Sequence, residues 1–252
     1  MSNKERRIDI SNIRNFFDLI IFDHNASREE MYNFLQDCLK FVFEYHYLDV
    51  KDFNVDLHSI KMQKDSCYFA YMQQKPTQIN GFDVYLNHDH LVFKDYTKEN
   101  LQILFSLMFT AMHEFGHIVQ YIEHSRRMIK AEIREYDVTK NLNKKANNID
   151  NRKKQNLVIA QCNKHLDAMQ AISNIERNAD YQAYKYCQIL FRTMYNHEEN
   201  EIIKNFYLMA IHYFNKIRKN RYKLYRISDK ANKQAIKILN KNGIKKEDLL
   251  NK

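Results

Sequence analysis

The stretch "LMFTAMHEFGHIVQYIEH", residues 107–124, sets His113 and His117 four apart, with Glu114 directly after the first. Four residues of α-helix advance about 6 Å and turn about 400°, so both imidazoles leave one face about a turn apart. That spacing lets two ring nitrogens reach one Zn²⁺ at about 2.0–2.1 Å, while Glu114 points elsewhere, toward water rather than toward the metal. A helix that merely happens to hold two buried histidines is the competing reading. Against it stands the company they keep. Leu104, Phe105, Leu107, Met108, Ala111, Met112, Phe115, Ile118 and Val119 make the helix strongly apolar. A His-Glu-His set buried there is costly unless something satisfies it. Gly116, one of only three glycines in the chain, sits inside the helix. Glycine weakens a helix interior, so it reads as a point of close backbone approach.

Working outward, the search is for a third ligand. In the HExxHxxGxxH pattern a glycine turns the chain so that a later residue reaches back to the metal. Here Gln120 replaces that glycine, Glu123 takes the ligand position, and His124 lies about 10.5 Å along the helix from His117. That branch is rejected. The alternative is a carboxylate from a second helix, and "SNIERNADYQAYKYC", 173–187, supplies one. Glu176 and Asp180 share a helix face. Glu176 can complete a His₂Glu set, and Asp180 can accept the free N–H of a ligand histidine and fix its tautomer. Small Ala179 and Ala183 permit close helix approach. A solvated acidic pair is the bland reading of this segment taken alone.

The flanking sequence frames these two helices. Residues 11–22 read as a helix capped by Ser11, and about 28–47 as a helix opened by the capping box Ser27/Glu30. "NVDLHSIKM", "SCYFAYMQ" and "GFDVYLNHDHLVFK" read as three or four antiparallel strands between 54 and 94. "FDVYLN", 82–87, is the expected edge strand above a cleft, and His88-Asp89-His90 is a turn or a second metal cluster. From 98 onward the chain reads as helical, with Thr97 as a cap and helices at about 157–195, 199–219 and 228–241, the last capped by Ser228. Residues 139–156 are polar and read as a loop or a mobile helical insertion. The expected fold class is α+β and predominantly helical: a small antiparallel sheet packed on the HExxH helix, then further helices. No linker is evident, so a single domain 1–252 is expected, with its core at about 55–190, a charged insertion at about 125–160 and a basic helical C-terminal part at about 199–252.

Composition narrows the classes further. Cys38, Cys67, Cys162 and Cys187 form no CxxC pair and read as reduced thiols. The N-terminus lacks an apolar signal region and no run approaches the ~18 apolar residues of a membrane span, so a cytoplasmic protein without membrane partners is expected, delivery to a host cell remaining open. The net charge of +9 reads as spread along a Lys- and Asn-rich chain.

His113–His117 together with Glu176, Ala179, Asp180 and Ala183 resemble the motifs of the gluzincin metallopeptidases, and among them the cytosolic ImmA/IrrE-like peptidases. The likeness covers about 55–190, and 58 residues between His117 and Glu176 make a longer spacing than compact members have. It implies one Zn²⁺ per chain on His113, His117 and Glu176, with Glu114 activating water, and hydrolysis of a peptide bond in a protein substrate such as a regulator or host protein. Tyr184, Tyr181, His212 and Tyr213 are candidate oxyanion donors. The alternative is a non-catalytic zinc-binding regulatory protein on the same scaffold, its basic helices at 214–246 contacting nucleic acid.

Overall fold

The computed structural model describes residues 8–61, 69–78 and 80–249. Six helices dominate: α1 (Ser11–Phe22), α2 (Arg28–Tyr45), α3 (Lys98–Asn147), α4 (Arg152–Ile172), α5 (Asn174–Asn196) and α6 (Glu201–Lys241). The strands are β1 (Asn25–Ala26), β2 (Asn54–Ile60), β3 (Ala70–Gln74), β4 (Gly81–Asn87) and β5 (Phe93–Lys94). Backbone contacts divide the chain into two compact units, Met1–Ile122 with Ala179–Arg218, and Glu123–Asn178 with Lys219–Lys252. The chain passes from one unit to the other at three places, within α3, α5 and α6, which is why no linker composition marks them.

Local chemistry explains the helix starts. The Ser27 hydroxyl accepts from the Glu30 amide while the Glu30 carboxylate accepts from the Ser27 amide, completing the expected capping box. Thr97 Oγ1 accepts from the Asn100 amide at 3.2 Å. At α1 Ser11 is the first helical residue, not the cap; the cap position is Ile10, without a side-chain capping bond, and Asp9 Oδ1 accepts from the Ser11 amide and hydroxyl. Ser228 lies inside α6 and opens nothing, since α6 runs unbroken where two helices were expected. Conversely the helix expected over 157–195 breaks at Ser173, which ends α4 and whose Oγ accepts from the Glu176 amide of α5.

In the first unit α1, α2, α3, α5 and the unit's part of α6 enclose an aromatic core. Phe17, Phe105, Phe191 and Phe214 are fully buried, with ring centroids 5.0 Å apart for Phe17–Phe191 and 5.5 Å for Phe191–Phe214. Such tilted pairs favour the ring quadrupoles as well as burying area. The main sheet has the order β2-β4-β3 and is mixed, not antiparallel: β4 pairs antiparallel with β3 and parallel with β2. The tight link from Lys75 to Gly81, where the Lys75 amide donates to the Gly81 carbonyl, makes β3–β4 a hairpin, and the other side of β4 pairs with β2. So 82–87 is the central strand, not the edge. β1 and β5 form a separate antiparallel pair. Phe82 of β4 meets Tyr121 of α3 edge-on at 6.1 Å, seating the sheet against the end of the buried part of that helix.

The second unit holds what the sequence presents as a charged insertion and a basic tail. Residues 125–147 continue α3 beyond a kink at His124 (φ −139°, ψ 35°), and α4 follows, so the polar 139–156 segment is largely helical. Its thin apolar content suffices because it is pooled: Val138, Leu142, Ala146, Val158 and Cys162 pack with Leu239, Ile244 and Leu249 from the C-terminal end. Gly243 at φ +78° ends α6, with the Ile244 amide returning to the Leu239 carbonyl. Cys38, Cys162 and Cys187 are buried free thiols, and Cys67 lies outside the described residues.

Candidate metal centre

From Ala111 to Tyr121 every residue of α3 is buried, so the helix is enclosed on all sides where the motif lies. His113, Glu114, His117, Gln120 and Asp180 are each at most 9% exposed. Gly116 faces Ala179 of α5. A methyl group on Gly116 would stand 3.7 Å from the Ala179 Cα and carbonyl oxygen, an ordinary contact. Small residues on both helices therefore bring α5 alongside the histidines, and the glycine itself leaves room for one carbon.

The polar set is arranged in two layers. Asp180 Oδ1 lies 2.8 Å from His113 Nδ1, and Gln120 Oε1 lies 3.0 Å from His117 Nδ1. Each acceptor holds the proton on Nδ1 and so leaves an Nε2 lone pair facing inward. The two Nε2 atoms are 3.0 Å apart. Two such nitrogens at that distance are satisfied by one shared cation, a proton or a metal ion. The spacing approaches the roughly 3.3 Å that two nitrogens share on one tetrahedral ion. A carboxylate oxygen of Glu176, from the first turn of α5, completes a group whose ligand atoms all lie within 4.8 Å of one another. Glu176 stands at the positive end of the α5 dipole, where a carboxylate is favoured. Nitrogen and oxygen donors in this number suit Zn²⁺, so the residues fit the ion that the motif suggests.

The five residues singled out in the sequence as the centre, His113, Glu114, His117, Glu176 and Asp180, are thus buried or half-buried on α3 and α5. Of the other carboxylates that could compete with Glu176 as third ligand, Glu123, Glu135 and Asp167 are exposed. The side chain of Glu132 lies outside the described residues. The candidate oxyanion donors are not drawn in. Tyr181 and His212 are exposed, the Tyr184 hydroxyl donates to Asn215 Oδ1 at 2.8 Å, and Tyr213 packs against α3 through the Gln102 carbonyl and Ser106. Gln120 is the residue that sequence reasoning passed over. It was weighed only as the replacement of a glycine, although its place three residues after His117 puts it on the same helix face.

A second group, Asp56, His58 and Asp83, lies on β2 and β4. Its cation comes from the chain: Lys75 Nζ is 2.5 Å from Asp56 Oδ2 and 3.8 Å from Asp83 Oδ1, while His58 Nε2 contacts Asp83 Oδ1 at 2.8 Å. His88-Asp89-His90 forms a single 3₁₀ turn after β4, capped by Asn87, with His88 Nδ1 2.8 Å from Ser59 Oγ. It belongs to neither group among the described residues. No helix of the described residues is long and apolar enough to cross a membrane.

Comparison with protein-family models, with curated proteins and with solved structures finds no significant match. The functional reading therefore rests on the chemistry of the residues.

Proposed function

We propose that the protein is a zinc-dependent metalloendopeptidase of the gluzincin type, hydrolysing a peptide bond in a protein substrate. The observation that carries this reading is the inward convergence of His113 Nε2 and His117 Nε2, each ring held from behind by an acceptor, with the Glu176 carboxylate beside them. A purely structural histidine pair would not need both Nδ1 atoms anchored so that both lone pairs meet. His113, His117 and Glu176 would hold the ion, one per chain. When bound, Zn²⁺ supplies a Lewis acid that acidifies water and polarises a carbonyl.

The chain's own residues supply the rest. Glu114, buried next to His113, is the base: its carboxylate takes a proton from the attacking water as the new C–O bond forms. It then returns that proton to the amide nitrogen as the C–N bond breaks. Asp180 and Gln120 orient the two imidazoles and raise their basicity. The substrate main chain would add along β3, since β4 is paired on both sides and the Tyr32 hydroxyl of α2 already meets the Leu57 carbonyl of β2. A non-catalytic zinc protein would have no use for a base in the position of Glu114.

The test has two arms. Elemental analysis of the purified chain should find one zinc, lost in Glu176→Ala and in His113→Ala but kept in Glu123→Ala and Glu135→Ala. Mass-spectrometric comparison of cleaved proteins in cells expressing wild type and Glu114→Gln should show products that vanish in the variant although its zinc is retained. Full zinc in the Glu176→Ala and His113→Ala double variant would end the metal assignment. Unchanged cleavage by Glu114→Gln would end the catalytic one.

A further inference from the structure

The positive charge of the chain is not diffuse once the fold is known. The unit formed by 123–178 and 219–252 holds 23 of the 40 Lys and Arg but only 10 of the 31 Asp and Glu, a net charge of +13. The other unit is left with −4. Within the basic unit the charge is further ordered. Lys219, Lys223, Arg226, Lys230, Lys233, Lys237 and Lys241 follow one another at steps of three or four along α6, so they fall within an arc of about 80° and span about 33 Å. All seven are exposed. Asp229 is the single acid between 219 and 241, and it lies off the stripe, paired with Arg177 at 2.7 Å.

We propose that this stripe on α6 is a binding surface for the phosphate backbone of double-stranded nucleic acid. Like charges at i, i+4 destabilise an isolated helix, so a stripe with no interleaved acid is costly by itself and is relieved by a polyanion. Its straight run of about 33 Å matches one turn of duplex, about 34–36 Å. Six of the seven side chains are lysines, which neutralise phosphates as point charges and lack the planar fork that reads base edges. The binding is therefore sequence-independent. An acidic membrane fits less well. A helix lying in a membrane surface buries a continuous apolar face, whereas from Asn232 on the opposite face of α6 is spent within its own unit: Leu239 packs in the core there and Asn232 bonds to His165 of α4, which leaves Leu224 and Ile227 as the exposed aliphatic residues on this part of α6. The inference stands apart from the peptidase reading, because it uses no residue of the metal centre.

The experiment is fluorescence anisotropy of the full chain with a labelled 30-base-pair duplex of arbitrary sequence, titrated at several NaCl concentrations. Micromolar binding at 100 mM salt is expected, insensitive to sequence, with log K falling linearly against log [NaCl]. The variant Lys230→Gln/Lys233→Gln/Lys237→Gln should flatten that slope by about 2–3 and weaken binding more than tenfold. Lys153→Gln/Lys154→Gln/Lys164→Gln, which removes the same charge from exposed positions on α4, should leave the slope within about one. Equal effects of the two triples would reduce the result to net charge and overturn the stripe. So would absence of duplex binding at 50 mM salt, or preferential binding to phosphatidylserine vesicles. Thermal unfolding, unmoved or raised in the stripe triple, separates lost binding from lost fold.

Discussion

Asp180 Oδ1 and His113 Nδ1 meet at 2.8 Å across two helices whose sequences are 67 residues apart. The contact is buried on both sides, and it is what turns His113 Nε2 toward His117. It also makes α5 a part of the centre by two residues rather than one, since Glu176 lies one turn before Asp180. Asp180→Asn keeps the shape but loses the charge that raises imidazole basicity. Zinc affinity, measured by competition with a chromophoric chelator, is expected to fall about 10–100-fold with the fold intact. An unchanged affinity would show that the carboxylate is not acting on the ring.

Gln120 plays the corresponding part for His117, from within the same helix. Gln120→Leu fills the space without an acceptor and frees the His117 proton to move to Nε2. Affinity is expected to drop by roughly tenfold, and Gln120→Glu to recover it. Equal affinities for wild type, Leu and Glu would assign the tautomer to another partner.

Gly116 offers a test of the helix contact that depends on size alone. Alanine fits at 3.7 Å from Ala179, so Gly116→Ala is expected to keep zinc and to gain up to about 1 kcal/mol in urea unfolding from the helix propensity. Gly116→Leu must push α5 away and is expected to lose both zinc and stability. Loss of zinc in the alanine variant would mean that the backbone approach is closer than described.

His165 provides the pH test. It is buried on α4, and burial depresses its pKa, opposed by the bond to Asn232 and aided by Lys246. A base whose folded pKa lies below its unfolded value binds fewer protons when folded. The stability it carries is therefore complete above about pH 6.5 and is lost as the pH falls from there through the folded value. Protection factors of α4 amides, which remove the intrinsic pH dependence of exchange, are expected to fall from about pH 7.5 to about 5.5, and His165→Gln to reduce that change. The same fall in the variant would place the titration on another group.

The residues of the candidate centre were legible as a group because they depend on local spacing. A helix of fixed pitch turns four-residue separations into a shared face, so His113–His117 and Glu176–Asp180 announce their geometry before any fold is known. The same locality made the Ser27 and Thr97 caps readable. What failed to read was what depends on the path of the chain between elements. The sheet order β2-β4-β3 depends on which strands meet in space, and strand chemistry is indifferent to that. The 125–160 segment looks too polar for ordered structure because its apolar residues are few, and only the tertiary fold brings Leu239, Ile244 and Leu249 back to complete its core.

Charge shows the same division between sequence and fold. The sequence determined the total of +9 and the three- and four-residue steps along 219–241. Only the tertiary structure decided that one helix would carry those steps unbroken, that Ala235 and Leu239 on its opposite face would be buried, and that +13 would gather in one unit. Helical periodicity is a property of neighbouring residues and travels with the sequence. Segregation of charge is set by long-range packing, because burial selects which face of each helix is left to water.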